Sequence, residues 1–242
     1  MVLGKDGEKM SKSRGNVIAP DDLVQAYGAD TVRAYLMFFK RWEQGGPWED
    51  NIDGIVRWIR RSWTVILEPV ESAATAATAE TIRSLRRKVH QTLRSVTRDY
   101  EVLEFNTIIS SLMELMNEMS RAKQQGAWQN AAWDEAVDIY LKMLAPLAPH
   151  ISEELWERLG KPYSIHQQTW PVLDEAATVQ EEMTLAVQVN GKVRDHITMA
   201  VDAAEEEVKA KALSTDNTQK FLEGKKPRQV IYVPGRLVNI VV

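Results

Sequence analysis

The residues best suited to chemistry in this chain are Lys9-Met10-Ser11-Lys12-Ser13. Two ammonium groups three positions apart, two hydroxyls beside them and glycines at 7 and 15 make a loop that can close on anionic oxygens. Lys is a compact cation on a long flexible stem, suited to following a phosphoryl group as its charge changes. A cation aimed at growing negative charge stabilises a transition state more than a ground state. Flanking glycines would let such a loop open and close. The competing chemistries are weaker. Cysteine is absent, which removes thiol catalysis, disulfides and Cys-ligated zinc, and the four His, at 90, 150, 166 and 196, are scattered. His150-Ile151-Ser152-Glu153 gathers polar groups, but it follows Pro149 where a helix should start, and so reads as a structural turn.

Residues 1–19 carry Gly4, Gly7 and Gly15 among many polar residues and read as a mobile loop rather than a core element. A chain opening on such a loop reads as beginning inside a larger protein. From Pro20 the pattern turns helical. Pro20 followed by Asp21 and Asp22 is a good helix start, with acids near the positive end of the dipole. Gly28 separates a second helix through Val32, Tyr35, Leu36 and Phe39, and Gly45-Gly46-Pro47 reads as a turn. Apolar stripes at three- and four-residue steps follow: Ile55, Trp58, Ile59, Ser62, Trp63; Ile82, Leu85, Val89, Leu93, Val96; Ile109, Leu112, Met116, Met119; and Trp133, Val137, Tyr140, Leu141, Leu144. The Ala-rich stretch 72–79 is a linker or a weak helix start. A last helix, Ile151 to Leu159, follows Pro149.

The period changes near residue 172. Leu185–Val189 and His196–Val201 are strand-like around Asn190-Gly191, a strong hairpin signal. Asp202 with Glu205 fits a capping box for a helix through Val208 and Leu213, and a short helix near Thr218–Leu222 ends at Gly224. Gln229–Val233 and Leu237–Val242 are two more strands around Pro234-Gly235. The expected fold is mainly α: an antiparallel helical bundle followed by a small C-terminal α+β domain. The expected divisions are 1–48 for the loop and connecting helices, 49–160 for the bundle, 161–180 for a linker and 181–242 for the tail.

The formal net charge is −4, so nucleic acid could be held only by local patches. Residues 81–98 hold Arg83, Arg86, Arg87, Lys88, Arg94 and Arg98 and no acid. Arg83, Arg87, Arg94 and Arg98 share a helix face next to the apolar stripe. That ridge suits phosphates, or equally an exposed face paired with acids on a neighbour. Arg57, Arg60 and Arg61 form a second cluster. Lys225, Lys226 and Arg228, with Lys192 and Arg194 near the hairpin, form a third. No apolar run approaches the roughly 18 residues a membrane span needs.

The stretch from Gly7 to Ile18, extended by Pro20, Tyr27-Gly28-Ala29-Asp30 and Arg33, resembles the second signature of class I aminoacyl-tRNA synthetases. Arg33–Phe39, Gly46-Pro47-Trp48, Ile52–Arg57 and Arg61-Ser62-Trp63 resemble leucyl enzymes. Val187–Arg194 and Val230–Val242 look like the bacterial leucyl C-terminal domain. The resemblance covers essentially the whole chain. It implies a class I anticodon-binding-like bundle and the C-terminal part of a leucyl-tRNA synthetase, which uses ATP with Mg2+, leucine and tRNA-Leu. It places Lys12 on the ATP phosphates with Lys9 assisting, and gives Ser11 and Ser13 a phosphate or loop-shaping role. It makes the third basic group the preferred RNA surface and implies a cytoplasmic monomer with no metal site in this region. The first signature, His-x-Gly-His, and a Rossmann domain are missing, so the chain is expected to be inactive alone. A free-standing RNA-binding module that kept the loop and a helical scaffold with a chance lysine loop are the competing readings.

Overall fold

The computed structural model describes residues 2–39, 46–48, 52–70, 76–179, 182–201, 203–222 and 227–242. The chain forms two compact units that divide between Thr178 and Val179.

Seven helices build the described part of the first unit: α1 (Pro20–Tyr27), α2 (Ala29–Phe38), α3 (Asp53–Leu67), α4 (Ala79–Glu101), α5 (Phe105–Gln124), α6 (Ala131–Leu144) and α7 (Pro149–Arg158). Pro20 and Pro149 each sit in a first turn, where the missing N–H costs nothing. Thr78 caps α4 by accepting the Thr81 N–H at 3.1 Å, so of the Ala-rich stretch only Ala79 is helical among the described residues. The stripes meet in one core: Leu85, Val89, Leu93 and Val96 of α4 pack with Ile108, Ile109, Leu112 and Met116 of α5, Tyr140 and Leu141 of α6 and Ile55 of α3. The Tyr140 and Ser62 hydroxyls, both buried, share a hydrogen bond of 2.7 Å, which satisfies the polar tip of the largest fully buried side chain.

Three local expectations change. Residues 2–19 carry more structure than a mobile loop. Val2–Leu3 (β1) pairs in parallel with Gly46–Pro47 (β2), Lys9 bridges Leu3, and Met10 and Ile18 pack on the core. Gly46-Pro47 is therefore a short strand rather than part of a turn, and Pro47 fits because the next donor, Trp48 N–H, completes the pairing to the Leu3 carbonyl at 3.0 Å; Gly45 lies outside the described residues. Residues 161–178 belong to the first unit, with Ser164 and Ile165 buried.

The second unit is a four-stranded sheet in the order β4-β3-β6-β5, from β3 (Glu182–Val189), β4 (Lys192–Ala200), β5 (Gln229–Val233) and β6 (Leu237–Val241). Asn190 and Gly191 both have positive φ, 50° and 79°, as the two-residue hairpin turn requires. The central pair, β3 with β6, is parallel, while both outer pairs are antiparallel. Alternate residues Leu185, Val187, Val238 and Ile240 face α8 (Glu205–Ser214) and α9 (Asp216–Leu222), which contribute Val208, Ala212 and Leu222 to a separate core. The expected capping box is replaced: Ala204 is the N-cap of α8 and makes no side-chain cap, and Asp202 and Gly224 lie outside the described residues.

Candidate phosphate-binding loop and nucleic-acid surfaces

The loop before α1 is held from within. Asn16 is its keystone. Its side-chain oxygen accepts the Ser11 N–H at 2.8 Å, and its amide N–H donates to both Asp6 carboxylate oxygens, at 3.0 and 3.3 Å, and to the Lys9 carbonyl at 3.4 Å. The Glu8 N–H at 3.0 Å and the Asn16 amide hold the Asp6 carboxyl below the usual carboxylate range. Gly7 and Gly15 sit at φ 76° and 67°, so the geometry demands glycine as left-handed turn positions. Lys12 opens a single 3-10 turn, Lys12–Arg14, and Ser11 and Ser13 share a hydroxyl hydrogen bond of 2.7 Å. Arg14 is spent on Glu8 at 3.2 Å. Lys9 and Lys12 are exposed and form no ion pair with any described residue.

The helices after the loop are tied to the bundle by two residues whose role the sequence did not reveal. Asp30 of α2 accepts the Ile151 N–H at 2.7 Å and lies 2.8 Å from His150 Nδ1, capping α7 from outside. Arg33 donates to the Pro146 and Leu147 carbonyls at 3.1 and 3.3 Å. His150 and its neighbours thus have structural tasks: Ser152 bonds back to the Ala148 carbonyl at 2.8 Å, and Glu153 accepts from the Ser164 hydroxyl and the Ile165 N–H. The signals were Asn16, Asp30 and Arg33 themselves, visible as motif residues but without a partner until the fold supplied one.

The cationic face of α4 meets acids along its length. Arg83 pairs with Glu80 at 2.9 Å, Arg87 reaches the same carboxylate at 3.8 Å, and Lys88 pairs with Glu114 at 2.7 Å. Arg94 pairs with Glu175 and donates to Thr178 Oγ1 at 2.8 Å, while Arg98 folds onto Asp99 at 2.8 Å. Arg86 is the most engaged. It grips Glu135 through Nε at 2.7 Å and Asp174 at 3.0 Å, and the Glu135 hydrogen bond pushes its pKa further up. Buried His90 completes this network. Its Nδ1 accepts the Asp174 N–H at 3.2 Å, which leaves Nε2 to donate to Glu135 at 3.1 Å. Arg86, then His90, lower the Glu135 pKa, and the Ala177 N–H, then Arg86, lower that of Asp174.

In the tail unit the strand order brings the cations together. Parallel pairing of β3 with β6 puts the starts of β4 and β5, at opposite sheet edges, at the same end of the sheet, so Lys192, Arg194 and Arg228 share that end. All three are exposed and none pairs with a described acid. Arg194 lies at the β-bulge and rests on the Phe221 ring, 4.1 Å from its centroid. Lys225 and Lys226 lie outside the described residues.

Residues 83–210 match the family model for the anticodon-binding domain of tRNA ligase, and residues 1–44 match that for class I tRNA synthetases (I, L, M and V). The whole chain is 49% identical to a leucine–tRNA ligase of Deinococcus radiodurans and 46% identical to one of Dehalococcoides mccartyi. It spans only 29% and 30% of their lengths, respectively. Among solved structures, an Agrobacterium radiobacter LeuRS–tRNA–LeuAMS ternary complex matches all of the chain and 32% of the solved chain, at 29% identity and a TM-score of 0.70. A Mycobacterium tuberculosis methionyl-tRNA synthetase shares the fold over 67% of the chain and 38% of its own, with a TM-score of 0.50 and 19% identity.

Proposed function

The chain belongs to the tRNA-ligase anticodon-binding domain family, and from that premise we propose that it is the C-terminal part of a leucine–tRNA ligase. The observation that carries this is the 49% identity to a leucine–tRNA ligase across every residue of the chain, loop and tail included. In that reading the parent enzyme joins the leucine carboxylate to the α-phosphorus of ATP, expels pyrophosphate and passes the leucyl group to tRNA-Leu. The loop supplies cations to the first step. Lys12 contacts the ATP phosphates as charge builds on them, Lys9 assists, and Ser11 and Ser13 donate hydroxyls or shape the turn. Two exposed ammonium groups without a described acidic partner support this assignment, because an ion-paired lysine would have to break its bond first. ATP acts together with Mg2+ in this reading, and among the described residues there is no group of three or more His, Cys, Asp or Glu that could hold a metal.

The bundle and tail hold tRNA-Leu, with Lys192, Arg194, Arg228 and, next in sequence, Lys225 and Lys226 on the phosphates. The adenylate pocket and the rest of the ATP site belong to the preceding part of the parent, which works as a cytoplasmic monomer; no described helix is long and apolar enough to cross a membrane. Deleting residues 179–242 from the parent tests the division of labour. Leucine-dependent pyrophosphate exchange should stay near normal while tRNA charging falls, and equal loss of both would make the tail a support of the catalytic fold. The isolated chain should show no exchange above background; clear leucine-dependent turnover would refute the reading that half the active site lies elsewhere.

A further inference from the structure

We propose that the bundle grips RNA through the outer face of α3, with Arg57, Arg60 and Arg61 on successive phosphates, and not through α4. The proposal rests on the tRNA reading above and locates the surface within it. These three arginines recur at three- and four-residue steps, so they project from one side of the helix, opposite the buried Ile55, Ile59, Ser62 and Ile66. All three are exposed. No described acid pairs with any of them; among the described residues their side-chain bond is the one from Arg61 to the neutral amide oxygen of Asn117 on α5, at 2.6 Å. Within α3 and its C-cap the acids lie only at the two ends. Asp53 lies in the first turn of α3, out of ion-pair contact with Arg57, and Glu68 follows the last turn, where it accepts from Thr64 at 3.3 Å.

The face continues onto both neighbouring helices. Toward α5, Arg57 and Arg61 rim an open groove of about 350 Å³ lined also by Gly54, Trp58, Met113 and Met116. Toward α7, Trp63 carries the Arg158 guanidinium 5.0 Å above its ring, and Arg158 is also paired with Glu154 at 2.7 Å. The result is a strip of guanidinium and amide donors across three helices of an otherwise acidic chain. Planar guanidinium forks that own no carboxylate are free to chelate phosphate oxygens, whereas the α4 arginines would have to give up a partner first. Residues 45–82, which contain α3, lie in neither matched family model, so the face is assigned from geometry alone.

The test measures binding of a tRNA-Leu transcript to the 242-residue chain across a salt series. Arg57→Ala/Arg60→Ala/Arg61→Ala is compared with Arg83→Ala/Arg94→Ala, and thermal melts confirm that each variant folds. The α3 triple variant should bind roughly tenfold or more weakly, with the slope of log affinity against log salt smaller by roughly 2 to 3. The α4 double variant should match wild type. Arg60→Glu alone, which breaks no hydrogen bond, should weaken binding in the same direction. Unchanged affinity in the triple variant would overturn the α3 assignment and leave the tRNA reading standing. Equal loss in both variants would overturn it too, as a mere effect of net charge. Failure of the wild-type chain to bind at low salt would overturn the tRNA reading, and the assignment with it.

Discussion

The loop before α1 and the face of α4 are both rich in cations, and the fold treats them in opposite ways. In the loop, Arg14 is paired with Glu8, while Lys9 and Lys12 meet no described acid. On α4, Arg83, Arg86, Arg87, Lys88, Arg94 and Arg98 all meet carboxylates. The Asn16 side chain instead binds the Asp6 carboxylate, the Lys9 carbonyl and the Ser11 N–H, which fixes the backbone and leaves the ammonium groups unspent. A run of basic residues therefore measures potential charge, and the neighbours decide how much remains for a ligand. On α4, Arg86, Lys88 and Arg94 spend that charge on holding α6, α5 and the 174–178 segment against the helix, and Arg83, Arg87 and Arg98 spend it on acids of α4 itself.

The largest effect expected from this contrast is at Lys12. In the full-length enzyme, Lys12→Ala should slow adenylate formation roughly 100-fold while ATP binding changes little, as loss of one transition-state donor implies. Single-turnover activation and ATP titration separate the two. Weaker ATP binding with a normal activation rate would make Lys12 a ground-state anchor and blur the contrast with α4.

A smaller effect is expected at the centre of the α4 network, and on stability. Glu135→Ala strips Arg86 of its main partner and leaves the buried His90 donor unpaired, which should cost about 2 kcal/mol in denaturant unfolding. The network also sets an acid limit. Glu135 and Asp174 titrate below their ordinary values, so they bind fewer protons folded than unfolded. Their stabilisation is complete above the ordinary carboxylate range and is lost as pH falls through the depressed values. Arg86→Ala should flatten that acid-side slope in a pH series of unfolding curves; an unchanged slope would mean the network contributes nothing to acid stability.

The smallest effect sharpens the comparison from the other side. Arg83→Ala should change affinity for tRNA by less than about twofold, since its charge is already screened by Glu80 and exposed ion pairs contribute little. Filter binding at two salt concentrations suffices, and a large drop would return α4 to the RNA surface.

Much of the architecture was legible because it is local. The α4 stripe from Leu85 to Val96 and the Asn190-Gly191 hairpin follow from periods of 3.6 and 2 and from one turn's φ requirements, none of which depends on distant residues. The pairing of residues 2–19 was not legible because β1 finds its partner at Gly46, across two helices, and neither two-residue strand has a pattern of its own. Asp30 looked like part of a motif, and its partners, His150 and the Ile151 N–H, are 120 and 121 residues away.

The same distinction separates the cations. Sequence alone determined where they lie and which share a helix face, and it could foresee Arg83 with Glu80, one turn apart. Only the tertiary structure decided which remain available. Arg86 meets Glu135 and Asp174, Lys88 meets Glu114, and Arg94 meets Glu175, over separations of 26 to 88 residues. Arg57 and Arg60 meet no described acid. Coulomb attraction acts through space at a few ångströms, and the packing of α5, α6 and the 174–178 segment brings those carboxylates within that distance of α4 while no described acid reaches the arginines of α3.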